Sequence, residues 1–305
     1  MFSVVIPTCN RDAILARSLP TVLGMRGAGE CEILPVDDGS GDGTPALLAE
    51  LASRHPNLKP LRQANSGPGE ARNRGLAEAK GDHLLFLDDD IFPDPGLLEV
   101  HKARLDSGAD VSQGRMVWHE SLADQPVIRY MDAHGMQFRL DGFKDGDQIP
   151  CLHAYTANLA LRTADARAAG GFDRAFTRLR YAFEDTAFAW KLEKSGKRIV
   201  YTPAAWARHL HPMTEEGLLQ REYKVGYGMA VAGKAYPDIA ADLGFARATC
   251  GLAWKLPVLR VLIGSGLPAL LGAEWRRRLA VKQAFLRGIR DGIWENFPGG
   301  ILDRQ

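Results

Sequence analysis

Four short apolar, β-rich runs alternate with helically spaced segments over the first hundred residues, and this alternation narrows the fold more than any other feature of the chain. The runs are Phe2 to Ile6, Cys31 to Val36, a weaker one at Leu58 to Leu61, and Leu84 to Leu87. Between them, Ile14, Leu15, Leu19, Val22 and Leu23, then Ala46 to Leu51, then Gly69 to Ala79 follow helical spacing. A strand, helix, strand succession closes by right-handed crossovers, so the pattern predicts an α/β fold with a doubly wound, mainly parallel sheet and helices on both faces. Ligands of such sheets bind beyond the carboxyl ends of the strands. Pro7-Thr8-Cys9-Asn10, Asp37-Asp38 and Asp88-Asp89-Asp90 all stand at such ends, three polar clusters on one rim.

The triplet Asp88-Asp89-Asp90 follows the apolar run His83 to Leu87 directly. Carboxylates held this close raise one another's pKa values, so a stable site recruits a hard divalent cation with oxygen ligands, Mg²⁺ or Mn²⁺. The plainer alternative is a solvated turn. The loop from Asp37 to Thr44 is rich in glycine but lacks the lysine of a phosphate-cradling loop, and no Gly-x-Gly-x-x-Gly follows the first strand. Asp38 can instead accept a base N–H, with backbone donors of the glycine turn close by. Asn65 to Leu76 reads as a turn into a helix N-terminus whose dipole, with Arg72 and Arg74, favours an anion; an exposed face pairing with Glu70 or Glu78 explains Arg74 better than Arg72.

Ser3 to Arg11, Val36 to Ser40, Asn65 to Leu76 and Phe86 to Asp90, taken together, resemble the successive signatures of the inverting glycosyltransferases of family 2, which have the GT-A fold. The likeness continues through Thr156 to Arg162, the Gly170-Gly171-Phe172-Asp173 turn, Glu184-Asp185 ahead of Trp190-Lys191-Leu192, and His209-Leu210-His211, and spans roughly residues 1–213. It implies transfer of a sugar from a nucleoside-diphosphate donor, a UDP-sugar foremost, to a hydroxyl of a glycan, glycolipid or other acceptor, with inversion. Pro7, Thr8, Asn10, Arg11, Asp38, Gly67, Arg72, Asp88, Asp89, Asn158 and Glu184 would meet the nucleotide and donor, Asp38 at the base. Asp88, Asp90 and His209 would hold Mn²⁺ or Mg²⁺, and Asp185 would be the general base. The resemblance also divides the chain into a GT-A catalytic domain at 1–213, with a nucleotide-sugar-binding half at about 1–115 and an acceptor-binding half at about 116–213, and a basic helical extension at 214–305.

Asp185 also has a case from its neighbours. It precedes a stretch in which Phe188, Ala189 and Leu192 suggest a helix packed on the sheet, so it is either a simple N-terminal carboxylate or, beside Glu184 and apolar residues, a pocket floor. His209 and His211, two apart on an extended segment, point to one face; His209 fits the ligand position better than His211. Trp118, His119, Tyr130, His134 and Tyr155 suit an acceptor pocket and ordinary packing equally.

Net charge is +1 over 305 residues, which gives no argument for nucleic acid. Residues beyond 216 carry 13 Lys and Arg against 7 Asp and Glu, leaving 25 against 30 before them, of 38 and 37 in all. The run Leu256 to Leu271 is apolar but broken by Pro257, Arg260, Gly264, Gly266 and Pro268, and falls short of the ~20 residues of a spanning helix. Trp275, Leu279, Phe285, Leu286, Ile289 and Ile293 share one helical arc, with Arg278 and Lys282 inside its edge. That arc suits peripheral membrane contact through 254–296, or packing on the catalytic domain or on a second copy of the chain in a homo-oligomer. Four cysteines without metal spacing and the lack of a basic, apolar leader point to the cytoplasm, with peripheral contact at the inner face of the membrane. Two other classes stay open: a nucleotidyltransferase, although residues 7–13 offer only Arg11 to a triphosphate, and a noncatalytic nucleotide-sugar-binding protein, which would have no use for Asp185.

Overall fold

The computed structural model describes residues 1–177, 182–242 and 273–294. The elements run β1 (Phe2–Thr8), α1 (Asp12–Leu23), β2 (Glu32–Asp38), α2 (Thr44–Arg54), β3 (Leu61–Gln63), α3 (Pro68–Glu78), β4 (His83–Leu87), β5 (Ile91–Pro93), α4 (Leu97–Asp106), β6 (Val111–Trp118), α5 (Pro126–Ala133), β7 (Asn158–Arg162), α6 (Thr163–Ala168), α7 (Arg174–Thr177), α8 (Glu184–Lys194), β8 (Ile199–His209), α9 (Glu215–Ala235), α10 (Pro237–Asp242) and α11 (Ala273–Trp294). They fall into two units, Met1–Arg178 with Asp185–Pro212, and Leu179–Glu184 with Met213–Gln305.

The first unit carries an eight-stranded sheet in the order β3-β2-β1-β4-β7-β6-β8-β5. Strands β1 and β2 are buried throughout, as expected of parallel strands covered on both faces. The first four strands pair in parallel, and so do β6 and β8. Two strands depart from the sequence expectation: β7 runs antiparallel to β4 and β6, and β5 antiparallel to β8. Neither is the product of a helix crossover. Strand β7 returns after the long excursion 119–157, and β5 is three residues that leave the acidic triplet and join the far edge. The weak third run is displaced as well, because Leu58 makes only an isolated bridge to Ile33 and the strand begins at Leu61.

Register sets the rim. Thr8 lies opposite Asp37, Asp38 opposite Gln63, and Val5 opposite Phe86, so the ends of β1, β2 and β4 finish level. Ile91 pairs with His209 and Trp118 with the same histidine, which carries the end of β8 to the acidic triplet. Between Gly114 and Arg115 the β6 to β8 register jumps, from Gly114 opposite Thr202 to Arg115 opposite Trp206, and β8 bulges. Asn158 fills that bulge. A Cβ on Gly114 would stand 2.1 Å from Asn158 Nδ2 and 2.3 Å from the Ala205 carbonyl, so only glycine fits there.

In the second unit, α9 and α11 approach backbone to backbone. A Cβ on Gly226 would fall 2.1 Å from the Phe285 carbonyl, and one on Gly288 2.0 Å from that of Tyr223. Leu286 and Ile289 are buried there with Phe285 and Met229 against them. The apolar arc of α11 therefore turns onto α9 at its Leu286 and Ile289 end. Trp275 stays 56% exposed with the Arg278 guanidinium over its ring. The run Leu256 to Leu271, Cys250 and the Ile293 side chain lie outside the described residues. Among the described residues no helix is long and apolar enough to cross a membrane.

Candidate active site

The β2 end of the rim is tied together by Asp38. Its Oδ1 accepts from Gln63 Nε2 and the Ser66 amide at 2.8 Å each, and its Oδ2 from the Gly67 amide at 2.7 Å. Gly67 at φ 94 and Gly39 at φ 77 are the two turns this requires, and a Cβ on Gly39 would meet the Asn65 amide at 2.8 Å. Asn10, itself left-handed at φ 55, donates its amide to Ser40 Oγ and accepts the Gly41 amide, both at 2.8 Å, so β1 and the glycine loop are clasped across the site. Pro7 sits within β1 opposite Val36. Its neighbour Asp37 is structural, held by Arg62 at 2.8 Å and by the Ser40 amide.

The three aspartates point to three different partners. Asp88 Oδ1 pairs with Arg72 Nη2 at 2.7 Å, and the buried Arg72 lies over the Phe172 ring. Asp89 turns inward to accept from Thr8 Oγ1 at 2.7 Å, while Ser18 caps its carbonyl. Burial pushes its pKa up to about 6 against the pull of Arg11. Asp90 is met by Arg11 Nη2 at 2.5 Å, His209 Nε2 at 3.0 Å and His211 Nδ1 at 2.9 Å. Burial alone would raise it, but His209, His211 and Arg11 together hold it well below the usual carboxylate range.

Two of the expected metal ligands, Asp90 and His209, stand with His211. Asp90, His209 and His211 present ligand atoms within 4.8 Å of one another, whereas Asp88 stands apart on Arg72. His209 Nε2 stands 3.0 Å from Asp90 Oδ1, and neither that oxygen nor His209 Nδ1, both buried, has a geometrically formed hydrogen bond. Such an orphaned acceptor beside two imidazoles fits a cation. The Trp118 ring stacks on His209 at 5.4 Å, Phe138 meets it edge-on at 5.2 Å, and His211 stacks on it at 5.4 Å, which fixes the imidazole.

Asp185 is the second residue of α8, half-buried, with Oδ1 on the Thr186 amide at 2.7 Å. Burial raises its pKa, Arg72 opposes the rise, and Asp88 adds to it. One arginine thus faces both the acidic triplet and Asp185. The chain enters α8 through Phe183 at φ 104, a strained conformation for an aromatic residue, and the half-buried Glu184 opens the helix.

Two expected donor contacts are spent elsewhere. Asn158 is fully buried, its Oδ1 2.9 Å from His101 Nε2 and its Nδ2 on the Ala205 carbonyl at 2.9 Å, so it belongs to the sheet and not to a donor pocket. Asp89, with Thr8 on it, faces the protein interior. His211 was the residue underweighted by sequence, although its two-residue spacing from His209 carries the signal. Arg11 as counter-cation of Asp89 and Asp90 has no local signal at all, since its partners lie 78 and 79 positions on.

A sheet of this order, with its polar rim at the ends of β1, β2 and β4, is of the GT-A type. Solved glycosyltransferases share it: the mannosyltransferase PcManGT from Pyrobaculum calidifontis, in complex with GDP-Man and Mn²⁺, superposes with a TM-score of 0.64 at 18% identity over 97% of this chain and 88% of that one. S. aureus TarS 1-349 in complex with UDP-GlcNAc gives 0.57 at 18% identity, over 95% and 90%. The Glycosyl transferase family 2 model matches residues 3–160, and the chain belongs to that family. Among curated relatives it is 30% identical over 276 residues to the pre-mycofactocin glycosyltransferase of Mycobacterium tuberculosis, covering 88% of this chain and 54% of the relative. It is 30% identical over 232 residues to the validoxylamine A glucosyltransferase of Streptomyces hygroscopicus subsp. limoneus, covering 68% and 51%. The chain thus spans about half the length of these relatives.

Proposed function

We propose that the chain is a metal-dependent, inverting glycosyltransferase that moves a sugar from a nucleoside-diphosphate donor, a UDP-sugar first among them, to an acceptor hydroxyl in glycan or glycolipid biosynthesis. The observation that carries this is the facing of Asp185, whose pKa burial raises, and the Asp88 to Asp90 triplet across one arginine, Arg72. A sugar hydroxyl is a poor nucleophile, and a carboxylate of raised pKa is a better proton acceptor for it. Asp185 would take that proton as the acceptor oxygen attacks the anomeric carbon from the face opposite the diphosphate, giving inversion in one displacement. Arg72 would hold the geometry between Asp185 and Asp88. Asp38, Asn10 and the Gly39 and Gly67 turns would receive the base and ribose.

Asp90, His209 and His211 would hold the cation, which when bound neutralises charge on the departing diphosphate. One carboxylate with two imidazoles favours Mn²⁺ over Mg²⁺, since magnesium prefers oxygen ligands alone. Arg11 is the resident counter-charge of the same carboxylates. The membrane proposal narrows to the exposed Trp275, Arg276, Arg278 and Lys282 end of α11.

The test is release of nucleoside diphosphate from a panel of UDP- and GDP-sugars in the presence of Mn²⁺, with the product's anomeric configuration read by NMR. Free nucleoside diphosphate and an inverted product support the reading. Pyrophosphate release would instead indicate nucleotidyl transfer, and a retained configuration would exclude the single displacement.

A further inference from the structure

A cavity of about 410 Å³ lies between β6, α5, the 135–141 loop and Tyr201 of β8. Its volume is within the range of small-molecule sites. One wall is Trp118 and Phe138, in contact at 5.7 Å, and both rings also touch His209. The cavity and the carboxylate–imidazole cluster therefore share a partition one ring thick. Phe138 stands at φ 55, a left-handed conformation that bulky residues adopt at a cost and that aims its ring into this partition.

The charged lining is what sets this cavity apart. Arg115, Arg129 and Arg139 line it, all exposed, together with exposed Asp132 and Asp141. Among the described residues none of these five side chains makes an ion pair or a side-chain hydrogen bond, although opposite charges stand around one space. Guanidinium forks and carboxylates left apart in this way offer donors and acceptors to a ligand, and aromatic faces beside them offer a surface to the C–H face of a sugar ring. Cations outnumber anions three to two, and arginine pairs with a carboxylate or phosphate through two parallel hydrogen bonds.

We propose that this cavity is an acceptor subsite for a sugar ring bearing an anionic group, with Trp118 and Phe138 under the ring and Arg129 and Arg139 on the anion. The proposal rests on the glycosyltransferase reading. The acceptor hydroxyl would then reach the reacting centre around the Trp118 and Phe138 partition, and the anion would fix which hydroxyl arrives.

Calorimetric titration of the full chain tests it with four probes: methyl glucuronide, glucose 6-phosphate, methyl glucoside and inorganic phosphate. Both anionic sugars should bind about tenfold more tightly than the neutral glucoside, the effect of one charge-assisted contact, and glucose 6-phosphate about tenfold more tightly than phosphate alone. Whichever anionic sugar binds better identifies the acid as carboxylate or phosphate. Arg129→Gln and Arg139→Gln, at exposed positions, should each lower that preference severalfold and leave Mn²⁺-dependent UDP affinity unchanged. Equal affinity for glucuronide and glucoside, inorganic phosphate binding as well as glucose 6-phosphate, or variants that keep the preference would overturn the subsite. Absence of UDP binding in the unaltered chain would count against the transferase reading instead.

Discussion

Arg11 and His211 show how much of the rim is decided by single side chains. Arg11 bridges Asp89 and Asp90, and His211 shares Asp90 Oδ2 with it, so any cation bound at Asp90 meets a carboxylate already surrounded by positive or neutral donors. Asp90→Ala, His209→Ala and His211→Ala should each weaken Mn²⁺-dependent donor binding by at least ~10-fold, since even changes behind a ligand commonly cost that much. Calorimetry with and without chelator checks this, and donor affinity indifferent to chelator would contradict it. Strand ends and acidic residues made the place of the site legible in sequence. The partners were not, because Thr8 to Asp89 and Arg11 to Asp90 join residues some eighty positions apart, and which of three adjacent aspartates faces inward depends on the turn after β4. Asn158 was misplaced for a related reason: an asparagine at a strand start looks the same whether it meets a ligand or a bulge.

Among the elements, β8 does the most to shape the site, since its bulge carries His209 and His211 to the acidic triplet. Gly114→Ala should destabilise the fold by roughly 1–3 kcal/mol through overpacking on Asn158 and the Ala205 carbonyl, read from the urea midpoint. His101 on α4 supports the same joint. Fully buried, it meets Ser112 Oγ through Nδ1 at 2.8 Å and Asn158 Oδ1 through Nε2, and because an amide oxygen only accepts, Nε2 carries a proton. Burial lowers its pKa to about 4. As pH falls through 6.5 the unfolded chain takes up this proton and the folded chain does not, so stability from this group declines between about 6.5 and 4. An NMR titration should find the His101 ring neutral at about pH 5; protonation near the ordinary value of about 6.5 would contradict the burial argument. Periodicity revealed the helices α1 to α3 and the strands β1, β2 and β4. It could not reveal the bulge or the antiparallel β7, which follow from partners and not from local spacing.

For the whole molecule, the two units differ in charge balance, since Lys and Arg outnumber Asp and Glu by 13 to 7 beyond residue 216 and are outnumbered 25 to 30 before it. Within the second unit, Leu286 and Ile289 are committed to α9, and the exposed Trp275 with its neighbouring arginines is what remains for an anionic surface. Co-sedimentation with vesicles containing anionic lipid should therefore be salt-sensitive, and Trp275→Ala should reduce it. No binding at low salt would remove the membrane contact and leave the enzymatic proposal intact. The helical wheel located the apolar arc, but it could not say that glycines at 226 and 288 bring α9 close enough to cover it.

Transfer by a single displacement with Asp185 as base is tested most directly by the turnover and donor affinity of Asp185→Asn measured side by side. The carboxamide keeps the shape at the start of α8 and removes the proton acceptor. Donor affinity in Mn²⁺ should stay within a few-fold of the unaltered chain while turnover falls by ~10²–10⁴, the contribution of a positioned base. Near-normal turnover with intact donor binding would contradict it.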